Sequence, residues 1–213
     1  MRLESVSVGR PRTVRWNGRD VRTSIFKEPV SGPVMVRRHN LDGDRQSDLE
    51  VHGGEFKAVY AYAAEDYDWW KTALGGDLEP ASFGENLTIH GLDFSGVGIG
   101  DIFRMGDAEL EAVAPRLPCY KLGIRFGDAN MVQRFAQAGR WGIYFRVIRE
   151  GALAAGSPVE RIRTDAAALP AYDVARVRVF DRDDLATIER LAAHEGLDPS
   201  WRSHFAGQLA VRT

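Results

Sequence analysis

The sequence has very little cysteine, and this excludes several kinds of site. Cys119 is the single cysteine among 213 residues. It cannot form an intrachain disulfide, nor can it build a zinc or iron–sulfur site that needs several thiolates. His39, His52 and His90 share no strand or helical spacing, and HExxH and CxxC motifs are missing. We therefore expect no metal site made of protein side chains alone.

An excess of one charge and long apolar runs are missing as well. The chain has 28 Lys and Arg against 30 Asp and Glu, so its net charge does not point to an obligate nucleic-acid or membrane partner. No apolar run approaches the roughly 18 residues that span a bilayer, and residues 1–9 lack the apolar core of a signal peptide. We expect a cytoplasmic protein. The glycines at 96–100 do not match a nucleotide-binding fingerprint.

Short apolar runs between turn residues predict a mainly-β fold. These runs are rich in β-branched and aromatic residues, and glycine, proline, asparagine and aspartate separate them, as in a sandwich or barrel. They cover residues 3–8, 34–36, 59–62, 87–89, 102–105, 110–113 and 143–148. We expect an antiparallel barrel.

Helical periodicity appears at 65–74 and at 128–138, where Asp128 is the expected N-cap. An Ala/Pro-rich stretch then separates two regions, so we divide the chain into a main domain at 1–162, a linker at 163–171 and a helical subdomain at 172–213. In the subdomain, Asp183 or Asp184 is expected to cap one helix, and Asp198 followed by Pro199 to begin another. The subdomain carries no obvious chemistry and is expected to dock on the main domain, a second chain or an electron donor.

Cys119 follows a predicted strand within Pro-Arg-Leu-Pro-Cys-Tyr-Lys (115–121). Two prolines stiffen this backbone and disfavour helix, so the thiol is expected on a rigid loop at the end of a strand. If Arg116 and Lys121 reach the sulfur, their charges favour the reactive thiolate. The alternative is a small buried apolar side chain, a common role of a lone cysteine.

A polar stretch at 42–57 brings Arg45, His52 and Lys57 close to the pair Gly53-Gly54. Glycines let backbone N–H groups approach an anion closely, and the cations would add charge. The stretch therefore predicts an oxyanion or phosphate site, with a solvated, flexible turn as the alternative.

Gly84, Glu85 and Asn86 stand at the entry to a predicted strand. A glutamate accepts hydrogen bonds and an asparagine both donates and accepts, which suits them to the polar edge of a heterocycle. A turn stabilised by its own side chains is the alternative.

Five motifs in order resemble a MOSC domain, and in particular the YiiM-like bacterial subgroup. They are Gly-Asp-Arg-Gln-Ser-Asp-Leu-Glu-Val-His-Gly-Gly (43–54), Lys-Ala-Val-Tyr-Ala-Tyr (57–62), Phe-Gly-Glu-Asn-Leu (83–87), Ile-Gly-Asp-Ile-Phe-Arg (99–104) and Pro-Arg-Leu-Pro-Cys-Tyr-Lys-Leu (115–122). The resemblance covers about 1–162 and implies a MOSC-type β-barrel with packed helices. The tail resembles the three-helix C-terminal extension of that subgroup.

The resemblance also implies a cofactor, the molybdenum cofactor, in which a molybdopterin holds the metal. Cys119 would be the catalytic residue and the protein ligand to molybdenum, and a soft thiolate suits that metal. The remaining residues would bind the pterin or its phosphate: Arg45, His52, Gly53, Gly54, Lys57, Gly84, Glu85, Asn86, Arg116 and Lys121.

The activity implied by the resemblance is reduction of small N-hydroxylated compounds, such as hydroxylaminopurines and amidoximes. The chain has no flavin fingerprint and too few cysteines for an iron–sulfur cluster, so a separate reductase would supply the electrons. One alternative is a carrier of the cofactor or of sulfur, using a Cys119 persulfide without substrate turnover. Another is a domain that binds a different anion, with Cys119 as packing. The sequence is compatible with a homo-oligomer.

Overall fold

The fold was analysed in a computed structural model, which describes residues 1–49 and 53–212. Strands dominate the first 163 residues and helices the remainder. The strands are β1 (Arg2–Val8), β2 (Arg12–Trp16), β3 (Arg19–Thr23), β4 (Glu28–Pro29), β5 (Val34–Arg37), β6 (Asn40–Leu41), β7 (Val59–Ala63), β8 (Leu87–His90), β9 (Ile102–Met105), β10 (Ala108–Arg116), β11 (Gly142–Arg149), β12 (Gly151–Leu153) and β13 (Val159–Arg163).

The main sheet has eight strands in the order β13-β9-β10-β11-β7-β8-β1-β4. The pair β7 and β8 is parallel, and the other neighbours are antiparallel. β7 is buried along its whole length, as expected of a central strand covered on both faces. Smaller sheets are formed by β12, β5 and β6, and by the β2–β3 hairpin.

The main sheet curls until its two ends approach each other. Arg2 forms an isolated antiparallel bridge with Pro158. Leu3 N donates to Ser157 O at 2.9 Å, and Val159 N donates to Met1 O at 3.0 Å. The mainly-β fold with packed helices is confirmed. Within the residues described, however, only these few bonds join the two ends of the sheet, so the expected barrel is not closed by a continuous strand ladder. The sheet is also not fully antiparallel, because β7 and β8 are parallel.

The helices are α1 (Glu65–Leu74), α2 (Tyr120–Phe126), α3 (Met131–Ala138), α4 (Ala171–Val179), α5 (Leu185–Ala193) and α6 (Pro199–Ala210), with 3₁₀ turns at Glu55–Lys57 and Phe94–Gly96. The helix predicted at 65–74 is confirmed, and Gly75 ends it at φ 75°. The helix predicted from 128 begins at Met131 instead. Its N-cap is Asn130, because Asp128 accepts the backbone N–H of Asn130 at 2.9 Å in a turn before the helix.

The three C-terminal helices share the core of the sheet. Val174 and Val177 of α4 are fully buried in the same apolar cluster as the strands. Asp198 N donates to Val113 O of β10 at 3.0 Å, and Ile99 N donates to Leu169 O at 2.9 Å. The segment expected as a linker is thus bonded to the loop that leads into β9. Across the residues that the structure describes, no helix has the length and apolarity needed to cross a membrane.

Candidate functional site

A polar cleft opens where the ends of several strands meet. Its empty volume, counted with the open mouth, is about 540 Å³. Residues from the β3–β4 connection, the loop after β6, β7, the loop before β8, the β10–α2 junction and β11 line it. They are Thr23, Ser24, Ile25, Lys27, Asp44, Gln46, Ser47, Lys57, Tyr60, Gly84, Asn86, Arg116, Cys119, Lys121 and Tyr144.

Cys119 lies in this cleft at the junction of a strand and a helix. β10 ends at Arg116, and Cys119 has extended backbone angles as the N-cap residue of α2. The thiol is therefore presented just past a strand end, as the two neighbouring prolines predict. Arg116 Nη2 donates to Sγ at 3.6 Å. A guanidinium at this position favours the thiolate, which is the form that binds metals.

Arg116 is held beside two aromatic rings. Its guanidinium carbon lies 5.6 Å from the ring centre of Tyr60 and 5.8 Å from that of Tyr144, within cation–π range. Burial lowers the pKa of Arg116, but Tyr144, Cys119 and Tyr60 together raise it above its ordinary value. Burial also raises the pKa of both tyrosines. Arg116 is thus a permanent buried cation between neutral rings.

Cationic side chains outnumber anionic ones on the cleft wall. Lysines 27, 57 and 121 accompany Arg116, whereas Asp44 is the carboxylate among the lining residues. Lys121 is mostly buried, and its Nζ lies 3.5 Å from Asp48 Oδ2. Such a wall favours an anionic ligand, because opposite charges attract more strongly where water is partly excluded.

Lys27 and Asp44 form a buried ion pair at the cleft. Lys27 Nζ lies 2.5 Å from Asp44 Oδ1, with 10% and 1% of the side chains exposed. Asp44 also accepts from Gly9 N at 2.8 Å and from Asn86 Nδ2 at 3.0 Å. Burial lowers the pKa of Lys27, although Asp44 counteracts this.

Glu85 is fully buried and bonded to its own loop. Its carboxylate accepts from the Tyr67 hydroxyl, from Ala81 N at 2.9 Å, from Phe83 N at 3.1 Å and from Thr88 Oγ1 at 3.1 Å. These bonds fix the turn that carries Gly84 and Asn86 into the cleft. Gly84 has φ 79°, and a Cβ there would lie only 3.0 Å from Ile25 Cδ1. The positive φ favours glycine, and any larger residue would also force the Ile25 side chain to shift.

The structure brings together one part of the predicted site. Lys57, Gly84, Asn86, Arg116, Cys119 and Lys121 all line the cleft. The other described members, Arg45, Gly53, Gly54 and Glu85, do not line it. Arg45 is exposed, with its backbone N–H bonded to Gly9 O at 2.9 Å. His52 lies outside the described residues. The roles of all these residues stay predictions.

Sequence reasoning missed several of the lining residues. Asp44 stands inside the polar stretch but was not singled out, and the segment Thr23–Lys27 was not considered. No short motif marks Lys27, because lysine is seldom buried without a partner and its partner Asp44 is 17 positions away. Tyr60 and Tyr144 lie on neighbouring strands and are register partners, which the sequence does not reveal.

Comparison with known proteins identifies the family of this chain. The model of the MOSC domain matches residues 48–160, a span that contains Cys119 and about half of the residues that line the cleft. The chain belongs to the MOSC family. It is 39% identical over 201 residues to the uncharacterized protein YflK of Bacillus subtilis, covering 94% of this chain and 91% of that protein. It is 35% identical to the protein YiiM of Escherichia coli, covering 84% and 81%.

Solved structures place this MOSC protein in the YiiM-like group. YiiM from Geobacillus stearothermophilus superposes with a TM-score of 0.83 at 32% identity, covering 98% of both chains. YiiM from Escherichia coli gives 0.79 at 27% identity, covering 100% of this chain and 94% of that one. The match to YiiM therefore includes the helical tail. MOSC domains are associated with the molybdenum cofactor.

Proposed function

We propose that this MOSC protein is a molybdenum-cofactor-dependent reductase of small N-hydroxylated compounds, of the hydroxylaminopurine or amidoxime type, with Cys119 as the protein ligand to molybdenum. The observation that carries the proposal is the position of the Cys119 sulfur. It lies beside Arg116 in a cleft whose wall is mostly cationic. A single thiolate is sufficient because the cofactor brings its own sulfur ligands.

The residues of the cleft fit such a cofactor. The molybdenum cofactor carries a phosphate and a soft metal, and the cleft offers cations for the first and a thiolate for the second. The Ser24 hydroxyl also supports the fit. It is buried at the cleft and has no hydrogen-bond partner in the described part of the chain. A buried hydroxyl without a partner is costly, and a bound polar ligand would satisfy it.

Each side of the cleft has a separate task in this proposal. Lys57 and Lys121 would hold the phosphate, and the turn at Gly84 and Asn86 would meet the pterin edge. Arg116 would keep the Cys119 sulfur ionised and in position. When bound, the cofactor supplies the two-electron redox chemistry, and the protein supplies binding and orientation.

A fungal relative supports a reductive activity. A protein named reductase from Gibberella moniliformis is 31% identical over 146 residues, which is 67% of this chain and 26% of that protein. Most of that protein thus lies outside the match. We infer that this chain receives its electrons from a separate reductase.

The proposal is tested by metal analysis and turnover together. The protein is produced in a molybdate-replete host that makes the cofactor, and molybdenum per chain is measured. Reduction of an N-hydroxylated purine is followed with reduced benzyl viologen as the electron source. We expect molybdenum near one per chain and steady turnover.

The Cys119→Ser variant provides the matched control. Its side chain is nearly the same size but is a poor ligand for molybdenum, so activity should be lost while the melting temperature stays close to wild type. Full activity in this variant would overturn the ligand assignment. Wild-type protein that holds molybdenum but reduces nothing would favour the carrier function, and protein without molybdenum would overturn both.

A further inference from the structure

We propose that Lys27, fixed by Asp44, is the acid that protonates the departing oxygen in this reduction. The inference rests on the proposed function and adds a residue that the reductase activity needs. It starts from the position of Lys27 among the residues that line the cleft with Cys119.

Asp44 is built to hold a lysine. Three donors reach its carboxylate from separate parts of the chain: Gly9 N, Asn86 Nδ2 and Lys27 Nζ. The bonds from Gly9 N and Asn86 Nδ2 hold the carboxylate in place independently of the lysine. Because Asn86 Nδ2 also donates to Ser7 O at 3.2 Å, the amide is itself anchored to β1. The ammonium is thereby placed with little freedom, which a proton donor needs.

Lys27 keeps donor capacity for a ligand. An ammonium has three N–H groups, and within the described part of the chain Asp44 is its one recorded hydrogen-bond acceptor. Its side chain is mostly buried, yet the residue lines the cleft. The remaining N–H groups are therefore available to a substrate oxygen.

The surroundings of Lys27 make it release a proton more readily than an exposed lysine does. The negative charges of Asp44 and the buried Glu85 favour the charged form of Lys27. The cations Lys57, Arg116 and Lys121 line the same cleft. The titratable groups of Tyr60, Tyr144 and Cys119 line it as well. Burial opposes the charged form and lowers the pKa of Lys27. A proton donor works best when its pKa approaches the working pH.

The reaction requires such a donor. Reduction of R–NH–OH consumes two electrons and two protons, breaks the N–O bond and gives R–NH₂ and water. The bound cofactor would supply the electrons, and without protonation the oxygen would have to leave as hydroxide. Lys27 gives one proton to that oxygen, and solvent provides the other and later restores Lys27. Arg116 releases no proton near neutral pH, and burial makes the Tyr60 hydroxyl a weaker acid.

The Lys27→Arg variant separates proton transfer from charge. A guanidinium keeps the positive charge and can bond Asp44, but it does not release a proton in this pH range. We expect molybdenum content and substrate Kd within about twofold of wild type, and a kcat at least about 100-fold lower, the usual loss for a missing general acid. Lys71→Arg, on the exposed face of α1, is the matched control and should leave kcat unchanged.

A second measurement does not depend on the loaded enzyme. Lysine side-chain NMR of the cofactor-free protein, assigned by the signal lost in Lys27→Arg, should show Lys27 titrating at lower pH than a free lysine. Titration of Lys27 together with exposed lysines would overturn the inference. So would a wild-type kcat in Lys27→Arg, even if the reductase activity stands. If wild-type protein containing molybdenum does not reduce N-hydroxylated purines, the proposed function fails first and takes this role with it.

Discussion

The cleft and the C-terminal helices use charge in opposite ways, and two arginines show the contrast. Arg116 is buried beside two tyrosine rings and the Cys119 sulfur. Arg176 of α4 lies at the surface of the tail among carboxylates of the same subdomain, at positions 173, 181 and 184. Both guanidiniums have a raised pKa. Only the first is placed where a ligand can meet it.

The difference shows which region stabilises the folded protein and which region reduces its stability. Buried charges such as Lys27 and Arg116 lose hydration, and their partners only partly replace it. The tail buries apolar side chains, including Val174, Leu191 and Phe205, and of its described charged residues only Asp198 is buried. We conclude that apolar burial in the tail and the strand core stabilises the fold, while the buried charges of the cleft lower its stability.

The largest effect is expected from a substitution in the apolar core of the tail helices. Phe205 is fully buried beside Trp201, with ring centres 6.0 Å apart. Phe205→Ala should lower the free energy of unfolding by about 3–5 kcal/mol, because it removes a large apolar side chain and leaves a cavity. Urea denaturation measures the change, and the exposed Val211→Ala is the control. Loss of molybdenum from the fraction that remains folded would show that the tail takes part in the site.

An intermediate effect is expected at Glu85, which is buried and holds the turn that carries Gly84 and Asn86 into the cleft. In Glu85→Gln an amide N–H₂ must face backbone donors such as Phe83 N or Ala81 N, so we expect a loss of about 1–3 kcal/mol. Urea denaturation of both proteins at several pH values is the measurement.

The same experiment has a pH signature. Burial raises the pKa of Glu85 although several hydrogen bonds oppose this. Above the usual glutamate pKa of about 4.3, the folded protein therefore binds this proton more tightly than the unfolded chain, and stability falls as pH rises through the window up to the folded pKa. The fall should be missing in Glu85→Gln. An equal slope in both proteins would assign the pH dependence to other groups.

The smallest effect is expected at Arg176. Its side chain is 25% exposed, and ion pairs near the surface contribute little because solvent and salt screen them. Arg176→Ala should cost about 1 kcal/mol or less, and the cost should shrink in concentrated salt. A salt-insensitive loss of several kcal/mol would remove the distinction between the two arginines, since Arg176 would then behave as a buried charge.

Local signals in the sequence predicted the elements that local rules govern. The helix predicted at 65–74 has these bounds in the structure, and Asp184 caps α5 by accepting Thr187 N at 3.1 Å. Asp198 caps α6, with Pro199 at its first position. Capping depends on residues a few positions apart, so the pattern is visible without the fold. The short helix α2 was missed, because the prolines before Cys119 indicate only that the preceding loop is not helical.

The sequence by itself determined the mainly-β class, the caps of the tail helices, the single thiol just after a strand and, through its ordered motifs, the MOSC family. The tertiary structure alone decided which polar residues meet that thiol. It brought Lys27 and Asp44 together across 17 positions, placed Tyr60 beside Tyr144 and turned Glu85 away from the cleft into its own loop. The register of the strands and the path of the chain between them set these contacts. Both depend on long-range pairing that no short stretch of sequence encodes.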